Sequence, residues 1–408
     1  MDLRITPKKL SGTVTPPPSK SQAHRLLIAA GLSGGVSTIR GVAMSQDVEA
    51  TLRCLTALGG RWRETTPGTL EITGTGGRGT FGASLPHLDC GESGSTLRFF
   101  LPIALAVAGG GVFTGQGRLM ERPQGPYLDL FREKGISFEK TDGVLTVRGR
   151  LTPGEYRLAG NVSSQFFTGL LFALPLLDGP STIVPTTAVE SWDYILMTLD
   201  ALMGAGVVVT KPQVPGGAFQ VSPFAYRPFD RSVEADWSQA AFWYGAAFWN
   251  NSVTVQGLNP HSVQGDKVVS DLYWRLARPG DREINVSGCP DLLPPLAVMA
   301  AAASGTTRFT GAARLRMKES DRLSTVCAML TALGGHCQEG PDSLTVTGGK
   351  LAGGTVDSAG DHRIAMAAAI AATGCTSPVT ILGAECVKKS YPDFWEVYQS
   401  LGGEIHVL

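Results

Sequence analysis

The feature that most restricts the fold of this chain is a recurring helix end. Ala57-Leu58-Gly59-Gly60 returns as Ala332-Leu333-Gly334-Gly335 and as Ser400-Leu401-Gly402-Gly403, each time ahead of a strand-like pattern. Weaker copies at Glu133-Lys134-Gly135 and Leu202-Met203-Gly204-Ala205-Gly206 set a spacing of about 70 residues, with one double-length gap between Gly206 and Gly335. The missing copy is due near residue 275, where residues 271–280 read as a helix with an altered glycine end and shortened strands after it. The chain therefore reads as six α+β units, one of them eroded. In each, glycine supplies the left-handed residue that ends a helix. Alternation such as Ile136-Ser137-Phe138-Glu139 and Glu404-Ile405-His406-Val407 supplies a half-buried strand. Periodicity leaves open whether helices or sheets lie inside.

A chain of 408 residues exceeds what one hydrophobic core usually fills, so two domains are expected. Lys plus Arg and Asp plus Glu both number 35, which removes the summed field that draws a protein onto nucleic acid or an anionic membrane. Charged residues are 17% of the chain, so any cluster of them is informative. Residues 1–10 lack the pattern of a secretory signal, and the apolar stretch 292–303 is short and holds two prolines, so a cytoplasmic protein is expected. The seven cysteines are scattered without a C-x-x-C and the six histidines are isolated, which argues against disulfides and metal sites.

After Pro16-Pro17-Pro18, the run Ser19-Lys20-Ser21-Gln22-Ala23-His24-Arg25 leads into apolar residues and predicts a helix beginning near Ser21. Its free N–H groups favour an anion, and Arg25 lies on the face of Ser21; simple capping with a solvated arginine is the alternative. Cys90-Gly91-Glu92-Ser93-Gly94-Ser95-Thr96-Leu97-Arg98 combines small residues, open to close ligand approach, with an arginine one turn on. Arg118–Pro123 reads as a loop, and Asn161-Val162-Ser163-Ser164-Gln165 offers three polar side chains at a helix start. The densest cluster, Arg316-Met317-Lys318-Glu319-Ser320-Asp321-Arg322, precedes an amphipathic helix. Similar charged entries, Asp361-His362-Arg363 and Lys388-Lys389-Ser390, point to a shared anion site over coincidence.

These motifs, with Pro290-Asp291, stand in the order found in 5-enolpyruvylshikimate-3-phosphate synthases, which the chain resembles from Lys20 to Lys389. The resemblance implies an α+β, inverse α/β barrel-like fold of six βαβαββ units, three per domain. It further implies a discontinuous first domain, 1–19 with 235–408, an inserted second domain, 20–234, and an active site in the cleft between them. The implied reaction moves the enolpyruvyl group of phosphoenolpyruvate to the 5-hydroxyl of shikimate 3-phosphate, releasing phosphate on the way to chorismate and the aromatic amino acids. Neither a metal nor an organic cofactor is implied, and the expected state is a monomer.

By the same resemblance, Lys20, Gly94, Arg122, Gln165, Arg322, Arg363 and Lys389 would meet phosphoenolpyruvate. Lys20, Ser21, Arg25, Ser163, Ser164, Gln165, Ser191, Tyr194, Asp291 and Lys318 would meet shikimate 3-phosphate. Asp291, Glu319 and Lys20 would serve the chemistry: Asp291 at the attacking hydroxyl, Glu319 at the methylene carbon. Read without the family, Asp291 is a helix cap and Glu319 a surface ion pair. Glyphosate sensitivity is a further implication, through Gly94. The chain departs from the family pattern at Glu92-Ser93, Phe99 and Arg314. The related transferase acting on a UDP-amino sugar uses a loop cysteine that residues 116–123 lack. An RNA-end-binding relative or a non-catalytic module would need an aromatic-basic stripe or a gapped residue set.

Overall fold

The computed structural model describes residues 1–77, 84–214 and 216–408. They divide into two compact units, Pro18–Glu234 and Met1–Pro17 with Ala235–Leu408. The N-terminal boundary falls at Pro17 rather than residue 19, because the Ser19 amide already donates to the Glu234 carbonyl (2.7 Å) while the Asp236 amide donates to that of Pro17 (2.8 Å).

Each unit repeats one pattern: strand, helix, strand, helix, hairpin. Residues 18–234 hold helices α1 (Lys20–Leu32), α2 (Gln46–Ala57), α3 (Gly94–Ala108), α4 (Gly125–Glu133), α5 (Ser164–Ala173) and α6 (Trp192–Gly204), with three four-stranded sheets. The other unit holds α7 (Trp237–Phe248), α8 (Val269–Ala277), α9 (Leu293–Ala302), α10 (Arg322–Ala332), α11 (His362–Ala372) and α12 (Phe394–Ser400). Its sheet around α9 and α10 is typical. Arg282–Asn285 runs parallel to Thr306–Thr310, which pairs antiparallel with Leu344–Thr347, itself antiparallel to His336–Glu339. In the last sheet the N-terminal strand Leu3–Thr6 takes the inner hairpin position between Val379–Leu382 and Glu404–Val407.

The question left open by periodicity is settled by burial. Every residue of α11 is buried, as are most of α1, α3 and α5. The strands bury one face only, as Leu70 and Ile72 do in Thr69–Thr73. Helices therefore form the inside of each unit and sheets the outside. The recurring glycines do what the repeat requires: Gly59, Gly135, Gly206, Gly334 and Gly402 have φ of 91°, 68°, 78°, 83° and 94°, a region a side chain would strain.

The eroded unit differs from its sequence-based expectation. Its helix α8 forms, but the strands after it are missing rather than shortened. The chain runs through Arg278-Pro279-Gly280 directly into Arg282–Asn285, which belongs to the next sheet. Among the described residues, Ser11–Val14 and Ser252–Val255 thus form a sheet of two strands where the other sheets have four.

Candidate functional site

In residues 18–234 the candidate side chains gather at helix starts. Ser19 caps α1, accepting from the Gln22 amide at 3.4 Å, and Lys20 at the first position pairs with Asp47 (Nζ to Oδ2, 2.7 Å) in the first turn of α2. Arg25 is 2% exposed, with Nε donating to Thr198 Oγ1 (2.9 Å), Nη1 to the Ser21 carbonyl (2.7 Å) and Nη2 to that of Tyr194 (3.0 Å). Its guanidinium also lies over the rings of Phe99 and Tyr194, 5.3 and 5.9 Å from their centroids. Burial pulls it down to about 10, so it remains a cation at neutral pH. Ser191, held left-handed (φ 53°), introduces α6 and places Tyr194 and Thr198 one turn apart toward Arg25.

A second group joins α3 to α5. Arg98 Nη1 donates to Gln165 Oε1 (2.7 Å) and Nη2 to the Pro123 carbonyl (3.1 Å), and Gln165 Nε2 donates to Ser95 Oγ (2.9 Å). Ser163 caps α5, and Ser164, its first residue, is buried. A Cβ on Gly94 would stand 2.8 Å from Arg122 Nη1 and 3.9 Å from Gln165 Oε1. The absent side chain is what lets the Arg122 guanidinium lie across the start of α3.

In the other unit, five of the expected residues form one network. Arg322, 1% exposed at the start of α10, reaches Asp291 Oδ1 through Nη1 (2.8 Å), Glu319 Oε2 through Nη2 (2.6 Å) and Asp361 Oδ2 through Nε (2.8 Å). Asp291 also receives Lys318 Nζ (3.2 Å) and Arg363 Nη2 (3.2 Å). Its carboxylate is therefore no helix cap, and Glu319, 19% exposed, is no surface ion pair. Burial pushes the Asp291 carboxyl up, but Arg363, Lys318 and Arg322 together outweigh it and hold it well below the usual range. Burial lowers Lys318 against the opposing pull of Asp291. Burial likewise works against the Arg322 charge, yet Asp361, Glu319 and Asp291 carry its pKa above the ordinary value. Lys389 Nζ donates to the Gly360 carbonyl (2.8 Å), beside the Asp361 cap of α11.

The structure adds groups that the sequence reading gave no ligand role, which hold the candidate residues in place. Asp361, buried and lowered because Arg322 overcomes the effect of burial, anchors Arg322 and accepts from Ser320 Oγ (3.0 Å). Ser238 accepts from Arg363 Nη2 (3.0 Å) and donates to Asp236 (2.6 Å), the cap of α7. Asp47 and Arg98 play the same part in residues 18–234. Asp361 and Asp236 carried a signal as acidic residues just ahead of helices; their second partners, 39 and 2 residues away, carried none. No cluster of three or more His, Cys, Asp or Glu among the described residues is arranged to hold a metal ion.

A family model described as EPSP synthase (3-phosphoshikimate 1-carboxyvinyltransferase) matches residues 5–398. A 3-phosphoshikimate 1-carboxyvinyltransferase of Clostridium kluyveri is 43% identical over 98% of this chain and 97% of its own, and one of Clostridium acetobutylicum is 41% identical over 99% and 98%. The solved structure of the Acinetobacter baumannii EPSP synthase superposes over the whole of both chains with a TM-score of 0.80 at 26% identity. The enolpyruvyl transferase NikO of Streptomyces tendae, at 17% identity and a TM-score of 0.78, shares the fold. Together with the clustered cations and carboxylates at the helix starts, these matches show that the chain belongs to the EPSP synthase family.

Proposed function

We propose that the chain transfers the enolpyruvyl group of phosphoenolpyruvate to the 5-hydroxyl of shikimate 3-phosphate. The observation that carries the reading is the Arg322 guanidinium, buried and shared by Asp291, Glu319 and Asp361, with Lys318 and Arg363 on the same Asp291 carboxylate. Shikimate 3-phosphate is held by Lys20, Ser21, Arg25, Ser163, Ser164, Gln165, Ser191, Tyr194 and Lys318, and the anionic groups of phosphoenolpyruvate by Lys20, Arg122, Gln165, Arg322, Arg363 and Lys389, beside Gly94.

In the first step the 5-oxygen bonds to C2 of phosphoenolpyruvate while a proton is added at C3, giving a tetrahedral carbon that bears carboxylate, phosphate and a methyl group. Asp291 takes the hydroxyl proton and Glu319 supplies the one at C3. In the second step a proton leaves the methyl for Glu319, the C2–O bond to phosphate breaks, the proton held by Asp291 passes to the departing phosphate, and the double bond returns. Asp291 must take up a proton although three cations hold its carboxyl well below the usual range, and the substrates supply the change. When phosphoenolpyruvate engages Arg322 and Arg363, less positive potential remains for Asp291, and its proton affinity rises. Preorganised cations stabilise the intermediate's charges.

The cytoplasm is the assigned compartment; seven free thiols suit a reducing environment, and no helix among the described residues is long and apolar enough to cross a membrane. The test is phosphate release from phosphoenolpyruvate, which should require shikimate 3-phosphate. Release with a UDP-amino sugar in its place would overturn the assignment.

A further inference from the structure

The sheet of Ser11–Val14 and Ser252–Val255 has an open edge. Its parallel ladder runs from the Ser252 amide to the Leu10 carbonyl (3.0 Å) through to the Gln256 amide and the Val14 carbonyl (2.9 Å). The two-residue period of a strand then turns the N–H and C=O groups of Val253 and Val255 to the opposite side. In the five other sheets that side of the equivalent strand is covered antiparallel by the hairpin or by Leu3–Thr6; among the described residues nothing pairs with it here. The missing hairpin also uncovers a groove lined by Tyr244, Ala247, Val253, Val255, Tyr273 and Trp274, in which Trp274 is 68% exposed.

Exposed edges invite pairing, and proteins blunt them with charge or brevity. The outer strands of the other sheets follow that rule. Arg61–Thr66 holds Arg61, Arg63 and Glu64, Ser137–Thr141 holds Glu139 and Lys140, His336–Glu339 and Glu404–Val407 each hold an acid and a histidine, and Val209–Thr210 has only two residues. Ser252-Val253-Thr254-Val255 has no charge and no proline.

We propose that, unlike the monomer the family resemblance implies, two copies of this chain pair through the edge the lost hairpin leaves bare, so that two two-stranded sheets become one four-stranded sheet. A two-fold axis perpendicular to the sheet at Thr254 sets the partner strand antiparallel, the direction the missing hairpin strand would have. Val253 then exchanges both hydrogen bonds with the partner's Val255, and the valines of both copies stay on the helix side. The occupant is identified by charge as well as by direction. Asp271, Trp274, Arg275 and Arg278 form one exposed stripe at helical spacing along and just past α8. The tryptophan stands between an acid at one end and two bases at the other, so an antiparallel copy sets Asp271 against the partner's Arg275 and Arg278. Such self-complementarity is what a two-fold interface requires, and a central aromatic is its usual anchor.

Sedimentation of the full chain at about 100 μM, where even micromolar complexes are populated, should give twice the 43.0 kDa of one chain. Thr254 is exposed and would face its own copy across the axis, so Thr254→Lys and Thr254→Glu should each raise the dimer dissociation constant by up to about fivefold through like-charge opposition. An equimolar mixture of the two variants should recover the wild-type value, and enolpyruvyl transfer by either should be unchanged. Trp274→Glu should weaken the dimer as well. A wild-type chain that remains at 43.0 kDa, whether its edge is bare or taken by another protein, overturns the proposal. So does a dimer indifferent to both Thr254→Lys and Trp274→Glu, or a mixture no tighter than its components.

Discussion

The Arg322 guanidinium holds Asp291, Glu319 and Asp361 at 2.8, 2.6 and 2.8 Å while only 1% exposed, an arrangement costly to desolvate and stable only because every charge is matched. That balance has a measurable consequence. If anionic substrates engage Arg322 and Arg363, the proton affinity of the Asp291 carboxylate that these cations hold down should rise, so joint binding of phosphoenolpyruvate and shikimate 3-phosphate should be accompanied by proton uptake. Titration calorimetry in buffers of different ionisation enthalpy reads it directly; proton release would contradict the account. Asp291→Ala and Glu319→Ala should each lower kcat by at least about 100-fold, in the range of acid–base groups. Shikimate 3-phosphate affinity should survive Glu319→Ala, and near-normal turnover in that folded variant would remove Glu319 from the chemistry. At Gly94 the structure adds to the sequence reading. A methyl there meets Arg122 Nη1 at 2.8 Å, so Gly94→Ala, an overpacking change of about 1–3 kcal/mol, should raise the phosphoenolpyruvate KM as well as the glyphosate inhibition constant. The inhibitor, being longer, should lose more, and equal losses would show that the methyl acts through Arg122 alone.

At the scale of elements, helix starts and ends were legible because their signals are local. Ser19, Ser163, Asp321 and Asp361 cap the helices expected after them, and the repeated glycines end helices in the left-handed region. Contacts at long sequence separation were not legible. Nothing at Tyr194 announces that its carbonyl meets Arg25, 169 residues earlier, and nothing at Asp291 that it meets Arg363, 72 residues later. One such contact ties three helices together. Thr96 Oγ1 donates to Ser93 Oγ (2.8 Å), which leaves Thr51 to donate to Thr96 (2.9 Å) and His24 Nδ1 to donate to Thr51 (2.7 Å). The relay fixes the Ser93 cap of α3 against α1 and α2. The relay needs a proton on Nδ1, which neutral and charged imidazole both carry, but burial, helped by Lys20 and Arg25, pushes the His24 pKa well below the usual value and keeps the ring neutral. The unfolded chain binds the proton that the folded one refuses. His24 therefore contributes stability that is present above about pH 6.5 and is lost as the pH falls. Between pH 7 and pH 5 the Tm of wild type should fall more steeply than that of His24→Asn; parallel profiles would show that His24 is protonated in the fold.

For the whole molecule, the repeat made the six-unit plan readable before any coordinates, and the same repeat shows what the eroded unit has lost. The Arg278-Pro279-Gly280 turn gave a hint of shortening, but complete loss of a hairpin followed only from seeing Arg282–Asn285 join the next sheet. The central claim, addition and elimination at C2 with proton exchange by Glu319 at C3, is tested most directly by running the reaction in ²H₂O and following the product methylene by NMR. The methyl group of the intermediate rotates before a hydrogen is removed, so the wild type should release product carrying deuterium at C3, and Glu319→Gln should slow incorporation and phosphate release together. Product formed at the normal rate without deuterium at C3 would contradict the mechanism.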